Sequence, residues 1–178
     1  PLRFARLGRV ERHHPQQSML RLSIDLPGQV LHKENNRFEL WADHRTRELR
    51  IGLEGGLQTE PANRGQGRLL LAQGIIWAKQ RWGIYQVASS PLPTKSLLDD
   101  NARARRERVL KAQGFKVAYD DSMQLKGTVS AGKVSELLTD WNQEKVQIID
   151  LLDAGQMLQQ ADQSLQEQAL KIRQAEDR

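Results

Sequence analysis

Apolar and polar residues alternate over residues 2–8 and again over "SMLRLSIDL" (18–26), and a period of two predicts strands. Pro27-Gly28 closes the second of these. "RFELWAD" (37–43) and "ELRIGLEG" (48–55) alternate on either side of "HRTR", which predicts a hairpin. The strand phase runs on through "GLQTE" to Pro61. From Gly67 the period changes. Leu70, Leu71, Gly74, Ile75, Trp77, Ala78 and Trp82 recur at helical spacing, Lys79, Gln80 and Arg81 supply the wet side, and Gly83 stops the helix. "IYQVASS" (84–90) reads as a short buried strand ended by "PLP", and residues 95–113 as a second helix stopped by Gly114. "FKVAYDD" and "SMQLKGTV" complete a final pair of strands, and beyond Gly132 the pattern is helical almost to the end.

The order β-β-β-β-α-β-α-β-β predicts an α+β fold: a mixed, mostly antiparallel central sheet with packed helices, plus a long C-terminal α-helical tail. A domain over residues 1–130 and a tail over 131–178 follow from the boundary at Gly132. Within the tail Leu151, Leu158, Leu165 and Ile172 recur every seven residues, with Ala154 and Ala161 at the second seam position and Gln168 interrupting it. The outer faces carry glutamine, so the apolar stripe is narrow. Either the helix folds back on its own domain, or residues 146–178 meet another chain as a homo-oligomer or with a protein partner. The second is the expectation. Val134, Leu137, Leu138 and Trp141 are expected to dock the start of this region onto the core.

Composition narrows the chemistry. The chain has no cysteine, which excludes disulfides, thiolate metal sites and a cysteine nucleophile and fits a reducing, cytoplasmic interior. No run of apolar residues is long enough to span a membrane, and the N-terminal "PLRFARLGRVERHHPQQ" lacks the apolar centre of a signal peptide. The net charge of +5 divides into +9 over residues 1–130 and −4 over 131–178. A basic domain suits a phosphate-bearing ligand, nucleic acid or merely a solvated surface. His13, His14, His32 and His44 show no ligand spacing, so no metal is expected.

One stretch joins this charge to a geometry. In "TEPANRGQGRLLLAQGIIWAKQRWG" a strand ends at Pro61, and Arg64, Gly65, Gln66 and Gly67 open a helix. Backbone N–H groups at a helix N-terminus, close approach allowed by glycine, and Arg64 and Arg68 together favour an anion. "LQTEPANRGQG" resembles the strand-to-loop pattern L-x-V-x-P-x-x-R-G-x-G of the GNAT superfamily of acyl-CoA N-acyltransferases. "LLDDNARARRERVLKAQGFKVAYDDSMQLK" resembles the same family's later segment, in which an Asn-led helix ends in Gly-Phe before the closing strands. The resemblance covers roughly residues 36–127.

It implies a sheet splayed near its middle with acetyl-CoA, the cosubstrate, lying in the opening. The pyrophosphate would rest on Arg64, Gly65, Gln66, Gly67, Arg68 and Leu69, the pantetheine along Leu57 and Thr59, and Asn101 beside it. Glu54 and Glu60 are the implied bases for an acceptor amine. Three departures stand beside it. Leu69 replaces a small residue of the loop. Leu110 stands where many members carry a tyrosine acid. Only "GRVERHHPQQ" lies between the first two strands, where two helices usually wall the acceptor. The implied activity is acetyl transfer to an unidentified amine. The alternative is a catalytically inactive GNAT-fold module assembling through its C-terminal helix, with nucleic-acid binding as a further possibility.

Overall fold

The computed structural model describes residues 3–30, 35–52, 59, 64–92 and 100–176. It has two compact units, Pro1–Val146 and Gln147–Arg178. The first contains β1 (Arg6–His13), β2 (Gln17–Asp25), β3 (Arg37–Asp43), β4 (Glu48–Ile51), α1 (Gln66–Trp82), β5 (Gln86–Val87), β6 (Ser90–Pro91), α2 (Asp100–Ala112), β7 (Lys116–Tyr119) and β8 (Gly127–Ser130). A single 3-10 turn, Val134–Glu136, follows. The chain is α+β. Among the described residues β1 to β5 form one mixed sheet in sequence order, and a smaller sheet runs β6-β8-β7.

Strands β1 to β4 are joined antiparallel, and β5 returns parallel to β4 after the α1 crossover. Leu20, Leu22 and Ile24 of β2, Phe38, Leu40 and Ala42 of β3, and Leu49 and Ile51 of β4 occupy alternate positions and are all buried. This single apolar face packs against Leu70, Leu71, Ile75, Trp77 and Ala78 of α1 in one core. Gly74 brings α1 close to β3: a Cβ there would stand 2.7 Å from Phe38 Cε1 and closer still to Leu40. The expected hairpin around "HRTR" is present, with Asp43 Oδ1 accepting the Arg45 and Thr46 N–H groups in the turn.

The structure moves several sequence boundaries. β1 spans Arg6–His13 rather than residues 2–8, and it joins β2 through a tight turn closed by the His14 N–H to Gln17 C=O bond at 2.9 Å. Most of "GRVERHHPQQ" is therefore strand and turn, with no separate wall between β1 and β2. β1 lies at the sheet edge with most residues exposed, so pairing with β2 sets its length and no hydrophobic alternation marks it.

"SMQLKGTV" supplies a strand only from Gly127, and the segment after Gly132 turns helical only at Leu151. Between them Val134 and Leu137 are buried as expected and Trp141 packs against the core, whereas Leu138 is exposed. Trp141 donates its indole N–H to Val146 C=O at 3.0 Å, and Asn142 Oδ1 accepts from Glu144 N–H. After the 3-10 turn, residues 137–146 follow a non-helical path held to the core by Leu137 and Trp141, and the first unit extends to Val146.

The second unit contains α3, Leu151–Glu176, which has no buried residue. Asp150 caps it by accepting the Asp153 N–H at 2.8 Å. Leu151, Leu158, Leu165 and Ile172 are exposed. No helix of the described residues is long and apolar enough to cross a membrane.

Candidate functional site

The strand formed by β5 and β6 keeps one neighbour along its length and loses the other: Val87 N–H donates to Gly132 C=O, and Ser90 and Pro91 pair with Val129 and Thr128 of β8 on the same side. At its start the Gln86 N–H donates to Arg47 C=O and the Ala88 N–H to Leu49 C=O (2.8 Å), which ties it to β4. Further on, Ile51 C=O is met by the Ser90 hydroxyl at 3.4 Å. β6 then pairs with β8, and Leu92 N–H donates to Gly127 C=O. Among the described residues backbone pairing with β4 thus ends at Leu49 and Ala88, while pairing on the other side runs on into the smaller sheet.

The first turn of α1 follows β4 in sequence. Gly65 is its N-cap with φ of +82°, a left-handed conformation that glycine adopts without strain. Leu69 N–H makes the first helical bond to Gly65 C=O at 3.1 Å, and among the described residues no side chain caps the helix. The N–H groups of Gln66, Gly67 and Arg68 therefore precede the helical ladder and stand at the positive end of the helix dipole. A Cβ on Gly65 would stand 3.3 Å from Lys145 Cβ, so Lys145 lies beside this turn. Gln66 is buried with its Oε1 unpartnered among the described residues. Arg64 is exposed and Gly67 half-buried.

Two residues of the turn have structural employment. Leu69 belongs to the core. Arg68 donates from Nε to Asp140 C=O at 3.0 Å, and Gln113 donates its side-chain N–H to the same oxygen. That tie lies at the end of α2 far from Asn101, which is exposed in the opposite first turn. Residues 64–69 are thus one local group, and Asn101 belongs to another helix. Thr59 is half-buried; Glu54, Leu57 and Glu60 lie outside the described residues. Leu110 is fully buried in the core. Tyr119 donates its hydroxyl proton to Glu107 at 2.8 Å, and Tyr85 OH lies 2.9 Å from His44 Nδ1.

A second constellation, absent from the sequence reading, surrounds the C-terminal end of α1. His13 Nδ1 lies 3.1 Å from Ser18 Oγ and its Nε2 lies 3.0 Å from Glu11. On its other side Ser18 Oγ is 2.8 Å from His44 Nε2. The hydrogen bond with His13, more than the pairing with Arg9, holds the Glu11 carboxyl down at about 2. The Trp77 indole lowers it further, although its N–H closes no hydrogen bond among the described residues. With both imidazoles neutral, one assignment of protons satisfies every link. Tyr85 O–H donates to His44, His44 to Ser18, Ser18 to His13, and His13 to ionised Glu11.

Trp82 packs 5.1 Å from His44 and 4.8 Å from Trp77 between ring centroids, and closes the group. Its members come from β1, β2, the β3–β4 turn and the end of α1, so no linear spacing in the sequence announces them. The group stands roughly 25 Å along α1 from Gly65. No cluster of three metal-ligating side chains occurs among the described residues.

Compared with known proteins, the chain matches no family model, no curated protein and no solved structure.

Proposed function

We propose that the chain is an acetyl-CoA-dependent N-acetyltransferase of the GNAT type, passing an acetyl group to an amine. The carrying observation is the end of backbone pairing between the β5–β6 strand and β4, together with a helix whose first turn has three N–H groups uncapped among the described residues. In this reading the pyrophosphate rests on Gln66, Gly67 and Arg68, with Arg64 and Lys145 adding positive charge. The pantetheine lies along Leu57 and Thr59. Asn101 is the residue of α2 that this reading places beside it.

Chemistry then requires the acceptor amine to be oriented against the thioester and relieved of a proton by Glu54 or Glu60, or through water. A backbone N–H holds the oxyanion of the tetrahedral intermediate. The thiolate leaves without a tyrosine acid, since Leu110 has no proton to give and the hydroxyls of Tyr85 and Tyr119 are engaged elsewhere.

Thiol release from acetyl-CoA in the presence of simple amines and polyamines tests this reading. The chain contributes no cysteine, so every thiol detected is CoA. Amine-dependent release that Gly67→Asp abolishes supports the reading. Binding of acetyl-CoA without release with any amine favours the second reading, a non-catalytic module of the same fold. The observation behind that alternative is α3, whose apolar residues are exposed along its whole length.

A further inference from the structure

Helix α2 buries arginine without burying what would neutralise it. Arg106 is 6% exposed, and its Nε and Nη1 have no acceptor among the described residues. One turn earlier, Arg103 has a side chain 16% exposed and a buried Nη1 that likewise lacks an acceptor. Its other terminal nitrogen reaches Asp100 at 3.3 Å, on the outer surface.

The nearby polar groups do not discharge the pair. Tyr119 offers its hydroxyl oxygen to Arg106 while donating its proton to Glu107, but it brings no charge and leaves Nε and Nη1 unpartnered, and Glu107 is further occupied by Lys111 at 2.7 Å. Burial lowers the Arg106 pKa, and repulsion from the Arg103 guanidinium adds a smaller push in the same direction.

Buried guanidinium donors in native structures find acceptors, because leaving them unpaired costs the full desolvation of a charged group. Three such donors from two adjacent cations define a place for an oxyanion. Charge selects its class: α2 carries Arg103, Arg105, Arg106, Arg108 and Lys111 against Asp100 and Glu107. A phosphate near two negative charges balances this better than a single carboxylate does. We propose that Arg103 and Arg106 form a binding site for a phosphate group, free or as a monoester.

The site does not rest on the acyl-transfer reading, because its probes are inorganic phosphate and glycerol phosphate rather than an acyl donor. Thermal unfolding of the full chain is followed against each probe, with chloride at equal ionic strength as the reference. Phosphate raises the Tm of the wild type in a saturable manner. Arg106→Met removes the buried charge and keeps the apolar stem. It melts above the wild type without phosphate and loses the response, binding phosphate about tenfold more weakly or worse.

Arg108→Gln, on the exposed side of the same helix, keeps the response. If only inorganic phosphate acts, the occupant is the free ion; if glycerol phosphate acts as well, the site accepts an ester; either supports the site. An unchanged Tm with both anions overturns it. So does a response of Arg106→Met equal to that of the wild type, since a general ionic effect would then explain both.

Discussion

Ser18 Oγ lies 2.8 Å from His44 Nε2, joining residues 26 positions apart at one end of the main sheet. Because Ser18 also meets His13 and is only 3% exposed, its hydroxyl serves both imidazoles at once. Ser18→Ala leaves two polar ring nitrogens without their partner and is expected to cost about 1–3 kcal/mol. Urea unfolding measures this. A loss within about 0.5 kcal/mol, typical of an indifferent surface change, would show that the serine joins nothing of consequence.

Glu11 makes the same cluster sensitive to acid. Its carboxyl titrates at about 2 in the fold against an ordinary value of 4.5. The unfolded chain therefore takes up the proton first as pH falls. The stabilisation is complete above pH 4.5 and is lost as pH drops toward about 2. Wild type should be more stable than Glu11→Gln at neutral pH, and the gap should close through that interval. A gap independent of pH contradicts the assignment.

Gly74 tests the packing of α1 on β3. Alanine is the better helix former by about 1 kcal/mol, yet its methyl group would press on Phe38 and Leu40 in the core. Overpacking of that kind costs about 1–3 kcal/mol, so Gly74→Ala should lower the melting temperature. An increase would mean that the helix rides higher on the sheet than the structure places it.

The tail offers a prediction of assembly. Leu151, Leu158, Leu165 and Ile172 recur at heptad spacing, and none is buried. Light scattering of the full chain should give a dimer or larger species, and Leu158→Asp with Leu165→Asp should give a monomer by placing charge in the seam. The structure also dictates where to truncate. Val146 accepts the Trp141 indole proton, so a cut should fall after Gln147 to leave the first unit folded. A full-length monomer at high concentration defeats self-association.

These residues show what the sequence could and could not disclose. α1 was legible because Leu70, Leu71, Ile75 and Ala78 keep helical period up to Gly83, and the β3–β4 hairpin because Phe38, Leu40 and Ala42 alternate cleanly. β1 was misplaced because an exposed edge strand needs no alternation, and Val10 at 44% exposure carries no inward signal. The helix expected from Gly132 starts late because Trp141 and Asn142 hold the intervening chain through tertiary and turn contacts that periodicity does not encode.

The two sites divide along the same line. Residues 64–69 are contiguous, so their glycines and arginines stand out in a linear reading. Glu11, His13, Ser18, His44 and Tyr85 meet only after the sheet has formed. Arg106 in turn sits in a run of arginines whose sequence is equally compatible with a solvated face and with a phosphate or nucleic-acid contact, until α2 packs and buries it.

An acyl-CoA seated on the first turn of α1 is open to calorimetry with acetyl-CoA. Gly67→Asp is the informative variant, because an acidic residue in the first turn favours the helix while repelling a phosphate from its N–H groups. Gly65, held at φ of +82°, is a poorer choice because any side chain there strains the backbone. The wild type should bind saturably, and Gly67→Asp should lose at least tenfold in affinity, about 1.4 kcal/mol. No heat of binding to the wild type at about 1 mM acetyl-CoA, where even weak ligands register, or equal affinity in the variant, would contradict it.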